Sequence, residues 1–136
     1  MQLYYPGLKW RLYVAGTARR KPGSRPDGKW SAQEHAGHLL ELESLWIARV
    51  GDYAMSAIDQ LTPADLSNRR TDDANFNTKS LEEILHGFRG ARQALMKAIE
   101  SSDAGMFAKS LPHPRLKTPM RLIDHLYFAA EHDDHR

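Results

Sequence analysis

The last nine residues, FAAEHDDHR, place His132 and His135 three apart, with Asp133 and Asp134 between them. At about 100° per helical residue, three positions leave the two rings roughly 60° apart on one edge of a helix. Two imidazoles one turn apart are half of a metal site, by the geometry that serves other paired-histidine helices. A third nitrogen has a natural source in WSAQEHAGHLLELESLW, where His38 precedes Leu39 and Leu42 and so faces the buried side of its helix. Three imidazoles with open positions hold a metal that acts as a Lewis acid or lowers the pKa of a bound water. Asp133, Asp134 and Glu43 are candidates to accept the other ring N–H and fix the tautomer. Glu43, Glu131 or Asp134 is the candidate general base. The spacing has a plainer reading as well. An exposed histidine-rich tail looks the same, and a lone inward histidine is usually a hydrogen-bonded core residue. Without a metal, three inward rings would leave buried donors unpaired at about 1 to 3 kcal/mol each. Spacing alone leaves both readings open.

The other histidines call for less. His86 on the third helix and His113 in a proline-bracketed loop read as partly exposed polar residues. His125, flanked by Leu122, Leu126 and Phe128, reads as a core-edge histidine hydrogen-bonded to a neighbour. His35 lies in the first turn of its helix, nearer solvent and near loop 110–117. The chain has no cysteine. That removes disulfides, thiol nucleophiles and cysteine-bound clusters, and suits a reducing cytoplasm. A metal must then be held by His, Asp and Glu, which favours zinc or nickel, with iron or manganese also compatible.

The elements that must position these residues are helical. At 136 residues, 41% hydrophobic and 26% charged, the sequence fits one domain spanning 1–136 with a sizeable core. No secretory signal and no membrane-length apolar run is visible. Four segments carry helical periodicity and none alternates with period two. The first is a partial stripe from Leu8 to about Arg20. The second opens at a Ser31/Glu34 capping box and runs at least to Arg49, with Gln60 as its furthest end. Thr62-Pro63 opens only a short turn, PADLS, before a polar loop, NRRTDDANFNTK. The third helix starts at a Ser80/Glu83 box and continues to Glu100 along a stripe from Leu81 to Ile99. LPHPRLKTP, with three prolines, reads as a loop, and Thr118-Pro119 as the start of the final helix. Helices joined by polar loops predict an all-α fold, an antiparallel four-helix bundle whose interior can house a site built from facing helices. The net charge of +2 is too small to argue for a nucleic-acid partner, none is expected, and the basic stretch ARRKPGSRPDGK, broken by prolines and glycines, reads as a solvated loop.

The pair of motifs WSAQEHAGHLLELESLW and HPRLKTPMRLIDHLYFAAEHDDHR, in this order and about ninety residues apart, resembles the DinB-like, or YfiT-like, metalloprotein superfamily. The likeness runs from about Lys29 to Arg136. It implies a four-helix bundle, commonly a homodimer, with a divalent metal on three histidines: one from the second helix and two from the last. The second-helix ligand matches His38, and the first ligand of the last helix matches His132. The third usually stands four residues further on, where this chain has Arg136. Either His135 takes over at a spacing of three, or Glu131 pairs with His135, or the site is altered or empty. An end at Arg136 also implies a final helix shorter than the superfamily's. The resemblance implies thiol-dependent transfer or metal-dependent hydrolysis of a small-molecule substrate. A non-catalytic dimeric bundle with a degenerate site and a binding or stress-response role is the alternative.

Overall fold

The computed structural model describes Gly23, residues 28–55 and residues 58–134. The expected helix over 8–20 and most of the basic stretch lie outside these residues. Helix α1 spans Ala32–Ala54, and the predicted capping box is present in full. The Glu34 N–H donates to Ser31 Oγ, and the Ser31 N–H donates to the Glu34 carboxylate at 2.8 Å. Helix α3 spans Leu81–Glu100 and starts where Ser80 Oγ accepts from the Glu83 N–H. Helix α4 covers Leu122–Asp134. No described helix is long and apolar enough to cross a membrane.

The connections differ from the sequence reading in three places. The polar loop after Ser67 contains a short helix, α2, over Arg69–Asp73, and a 3₁₀ turn over Phe76–Thr78. Phe76 there is buried against Ala36 and Ile84. Asn68 and Asn75 precede these two pieces in the left-handed region, which asparagine tolerates better than most residues. Second, the proline-rich loop is a hairpin. Strand β1 (Ser110–Pro112) pairs antiparallel with β2 (Pro119–Arg121), Leu111 opposite Met120. Three-residue strands are too short to show a period of two. Third, α4 begins three residues later than the Thr118-Pro119 signal implied. Pro119 belongs to β2, and the helix is started instead by Asp124, whose carboxylate accepts the Arg121 N–H at 3.1 Å.

Packing gives the helix directions. Ala36 clusters with Ile84, Leu40 approaches Gly87, Glu43 meets Arg92, and Trp46 and Val50 share a cluster with Leu95. These contacts advance together, so α1 and α3 run parallel. An antiparallel arrangement therefore does not hold for this pair. The long connection from Met55 to Ser80 returns the chain to the starting end, as crossover connections do in bundles. Against α4 the order reverses: His38 lies near His132, and Trp46 near His125, so α1 and α4 are antiparallel. The larger core cluster joins Trp46, Val50 and Tyr53 of α1 to Leu61, Leu95, Leu111, Leu122 and Ala129. The Tyr53 hydroxyl donates to the Met120 carbonyl at 2.6 Å. Lys109 Nζ donates to the carbonyls of Tyr53 and Met55, a cation on the negative end of α1. The hairpin is thus pinned across the bottom of α1 and feeds α4 back beside it.

Candidate metal centre

The site is assembled at the N-terminal end of α1. Ser31 fixes the first turn, and its hydroxyl donates to Asn77 Oδ1 at 2.5 Å, tying the helix start to the 3₁₀ turn. Two turns on, His38 is buried, and its ring lies 6.0 Å from that of His132, centroid to centroid. Two imidazoles on one tetrahedral ion, at about 2.0 to 2.1 Å per nitrogen, would have centroids roughly 5 Å apart. The observed separation is about 1 Å wider than that. Indoles flank it on both sides: Trp30 packs 5.0 Å from His38 and 5.6 Å from His35, and Trp46 packs 6.0 Å from His132. Aromatic rings thus pack against both imidazoles.

His38 Nδ1 lies 3.2 Å from Thr71 Oγ1, and Thr71 is buried. When Nδ1 is the protonated nitrogen, the hydroxyl accepts from it and Nε2 keeps its lone pair for a ligand, the tautomer a metal-binding histidine needs. The donor set therefore fits a divalent ion as far as two nitrogens go. Among the described residues no group of three His, Cys, Asp or Glu comes close enough to hold a metal. The expected third ligand, His135, lies outside the described residues, as does Arg136.

The carboxylates are placed differently from the expectation. Glu43 is buried, and Arg92 grips both its oxygens, Nε donating to Oε2 at 2.9 Å and Nη2 to Oε1. The same Nη2 donates to Asp133 Oδ2 at 2.8 Å. Burial works against the charge on Arg92, but Glu43 and Asp133 outweigh it and raise the guanidinium pKa. Glu43 is thus an ion-pair partner with both oxygens held by Arg92, burial pushes its pKa up, and Asp133 gives one oxygen to Arg92. Asp134 and Glu131 lie on exposed positions of α4.

A cavity of about 300 Å³ opens against His38. Thr71, Leu42 and Leu45 line it, with the Glu41–Arg70 ion pair, 3.4 Å apart, among its charged walls. Its size lies at the lower end for small-molecule pockets, which run from roughly 300 to 1,000 Å³.

His125 sits lower on α4 and is wholly enclosed. It packs 5.4 Å from Trp46, and neither ring nitrogen has a hydrogen-bond partner among the described residues, so the expected neighbour bond is not found. Burial, then the charges of Arg49 and His113, push its pKa down to about 4. His86 is exposed, and His113 caps its own turn, Nδ1 accepting from the Leu116 N–H at 3.1 Å.

A family model described as the DinB superfamily matches residues 11–136. The chain belongs to the DinB superfamily. Comparison with the curated proteins and with the solved structures returned no match. Within this superfamily member, sequence reasoning missed Thr71 and Arg92. Thr71 carried no signal inside a polar loop. Arg92 did carry one, since it continues the Ile84, Phe88 series toward Leu95 at helical spacing. A charge on an apolar stripe requires a buried partner.

Proposed function

We propose that this DinB-superfamily protein is a divalent-metal protein in which His38 and His132 supply two ligands and His135 the third. The supporting observation is the convergence of two histidines, 94 positions apart in the chain, to 6.0 Å between rings. The Thr71 contact on the far nitrogen of His38 and the indole walls support the same reading. Histidine nitrogens without thiolates favour zinc or nickel. A helix over 8–20 would complete a four-helix bundle around the site. When bound, the ion supplies Lewis acidity and a lowered pKa for a coordinated water or other ligand group.

The chemistry that suits this arrangement is a metal-dependent transfer or hydrolysis on a small molecule held in the cavity beside His38. The protein's own contribution is to orient the two imidazoles, through Thr71 and the indoles, and to confine the substrate against Leu42 and Leu45. With Arg92 holding Glu43, Asp134 and Glu131 are the remaining candidate bases. A cytoplasmic homodimer belongs to the same reading, and the absence of cysteine suits a reducing compartment. Arg136 in the superfamily's usual third-ligand position favours the second reading, a non-catalytic bundle with a degenerate site.

Metal analysis of protein purified without a histidine tag separates the two. Near-stoichiometric zinc or nickel, lost in both His38→Ala and His132→Ala, supports the metal centre. Metal content unchanged by either substitution overturns it.

A further inference from the structure

Three helices meet at one guanidinium. Arg92 of α3 donates to Glu43 of α1 and to Asp133 of α4, and both carboxylates are almost wholly buried. The stem of Arg92 is confined as well, its guanidinium carbon lying 5.0 Å over the Phe88 ring. Asp133 directly follows His132 in the chain. Among the described residues, direct packing of α4 on α1 is slight compared with that of α3 on α1. A bidentate grip on Glu43 fixes the direction of the guanidinium plane, and the second N–H of the same Nη2 then fixes Asp133. A helical residue cannot rotate about the helix axis without its neighbour, so holding Asp133 also holds the bearing of His132.

From this we infer that Arg92 is the positioning residue of the site: by clamping Asp133 to Glu43 it sets the face of α4 from which the His132 ring meets His38. In this role Arg92 acts through Asp133. The charge count separates positioning from mere stabilisation. Two carboxylates share one guanidinium, burial pushes the Glu43 pKa up, and Asp133 Oδ1 has no hydrogen-bond partner among the described residues. Replacing buried ion clusters by neutral groups of similar volume is often neutral or stabilising, so this cluster is weak evidence of a purely structural purpose.

The inference rests on the metal reading for its functional meaning, but its geometry can be tested without metal. Three proteins are compared: wild type, Arg92→Lys, and a charge-neutral variant carrying Glu43→Gln, Arg92→Met and Asp133→Asn. The neutral variant avoids leaving two carboxylates unpaired, which would unfold the chain for uninteresting reasons. The first readout is the nuclear Overhauser contact between the ring protons of His38 and His132 in metal-free protein. The second is cobalt(II) affinity by optical titration, with thermal melting as the control for folding. The inference predicts a melting temperature near or above wild type for the neutral variant, loss of the ring-to-ring contact, and cobalt affinity lower by about tenfold to a hundredfold. Arg92→Lys, which keeps the charge but not the fork, should lose several-fold in affinity. Unchanged ring contact and affinity in either folded variant overturns the positioning role. A wild type that shows the ring contact yet binds no cobalt refutes the metal reading instead, and loss of the contact in the variants still establishes the clamp.

Discussion

Acid should destabilise this protein through His125 in particular. The ring is enclosed between Trp46 and the buried end of α1, with neither nitrogen partnered among the described residues, and its pKa is pushed down to about 4. In the unfolded chain the same group titrates near 6.5. The folded state therefore binds fewer protons, and the stability held with a neutral ring is complete above the unfolded value. It falls as pH drops through about 6.5 and levels off below about 4. At 1.36 kcal/mol per pKa unit the loss reaches about 2 kcal/mol near pH 5 and about 3 kcal/mol near pH 4. That is a large share of the 5 to 15 kcal/mol typical of a domain. Urea unfolding, followed by tryptophan fluorescence across this range, measures the loss. Carboxylates also titrate near pH 4, so the decisive quantity is the difference between wild type and His125→Phe. The variant has no ring nitrogens to protonate. Its stability relative to wild type should rise by about 3 kcal/mol between neutral pH and about pH 4. Parallel curves for the two proteins would refute the argument that an enclosed, neutral His125 sets the acid limit.

Two further outcomes follow from packing and the hydrogen bond at His38. Thr71→Val keeps the volume but removes the oxygen at His38 Nδ1, and should weaken divalent-metal binding roughly tenfold, while Thr71→Ser restores it. A titration showing equal affinity in all three would deny Thr71 its role. Gly37→Ala should destabilise, although alanine in an open helix gains about 1 kcal/mol over glycine. A Cβ at Gly37 would lie 2.2 Å from two Phe76 ring carbons, and overpacking of this kind costs about 1 to 3 kcal/mol. Partial recovery of the melting temperature in Gly37→Ala with Phe76→Leu would identify the clash as the cause, and a variant as stable as wild type would disprove it.

Much of this was readable before any coordinates. Ser31 with Glu34 and Ser80 with Glu83 announce helix starts because capping is local chemistry, satisfied within one turn. The approach of the His38 and His132 rings is legible for a related reason: helical spacing fixes the face of each residue, and both carry apolar neighbours on that face. The hairpin was not legible, since Leu111 alone of three β1 residues is buried and gives no pattern. Phe76 looked like one aromatic in a polar loop, and its burial depends on the gap left by Gly37 and on Ala36 and Ile84 of two helices distant in sequence. The parallel course of α1 and α3 depends on the path of the chain between Met55 and Ser80, which no local signal encodes. The Glu43–Arg92–Asp133 cluster joins three helices, so each member alone reads as an ordinary charge.

The most direct test is the position of one atom. A crystal of tag-free protein grown with zinc, with anomalous differences collected at the zinc edge, should show a peak about 2.0 to 2.2 Å from one nitrogen each of His38 and His132. His135 should approach the same peak as the third ligand. Zinc bound only elsewhere on the surface, with the His38 and His132 nitrogens bonded to protein or water, would contradict the account.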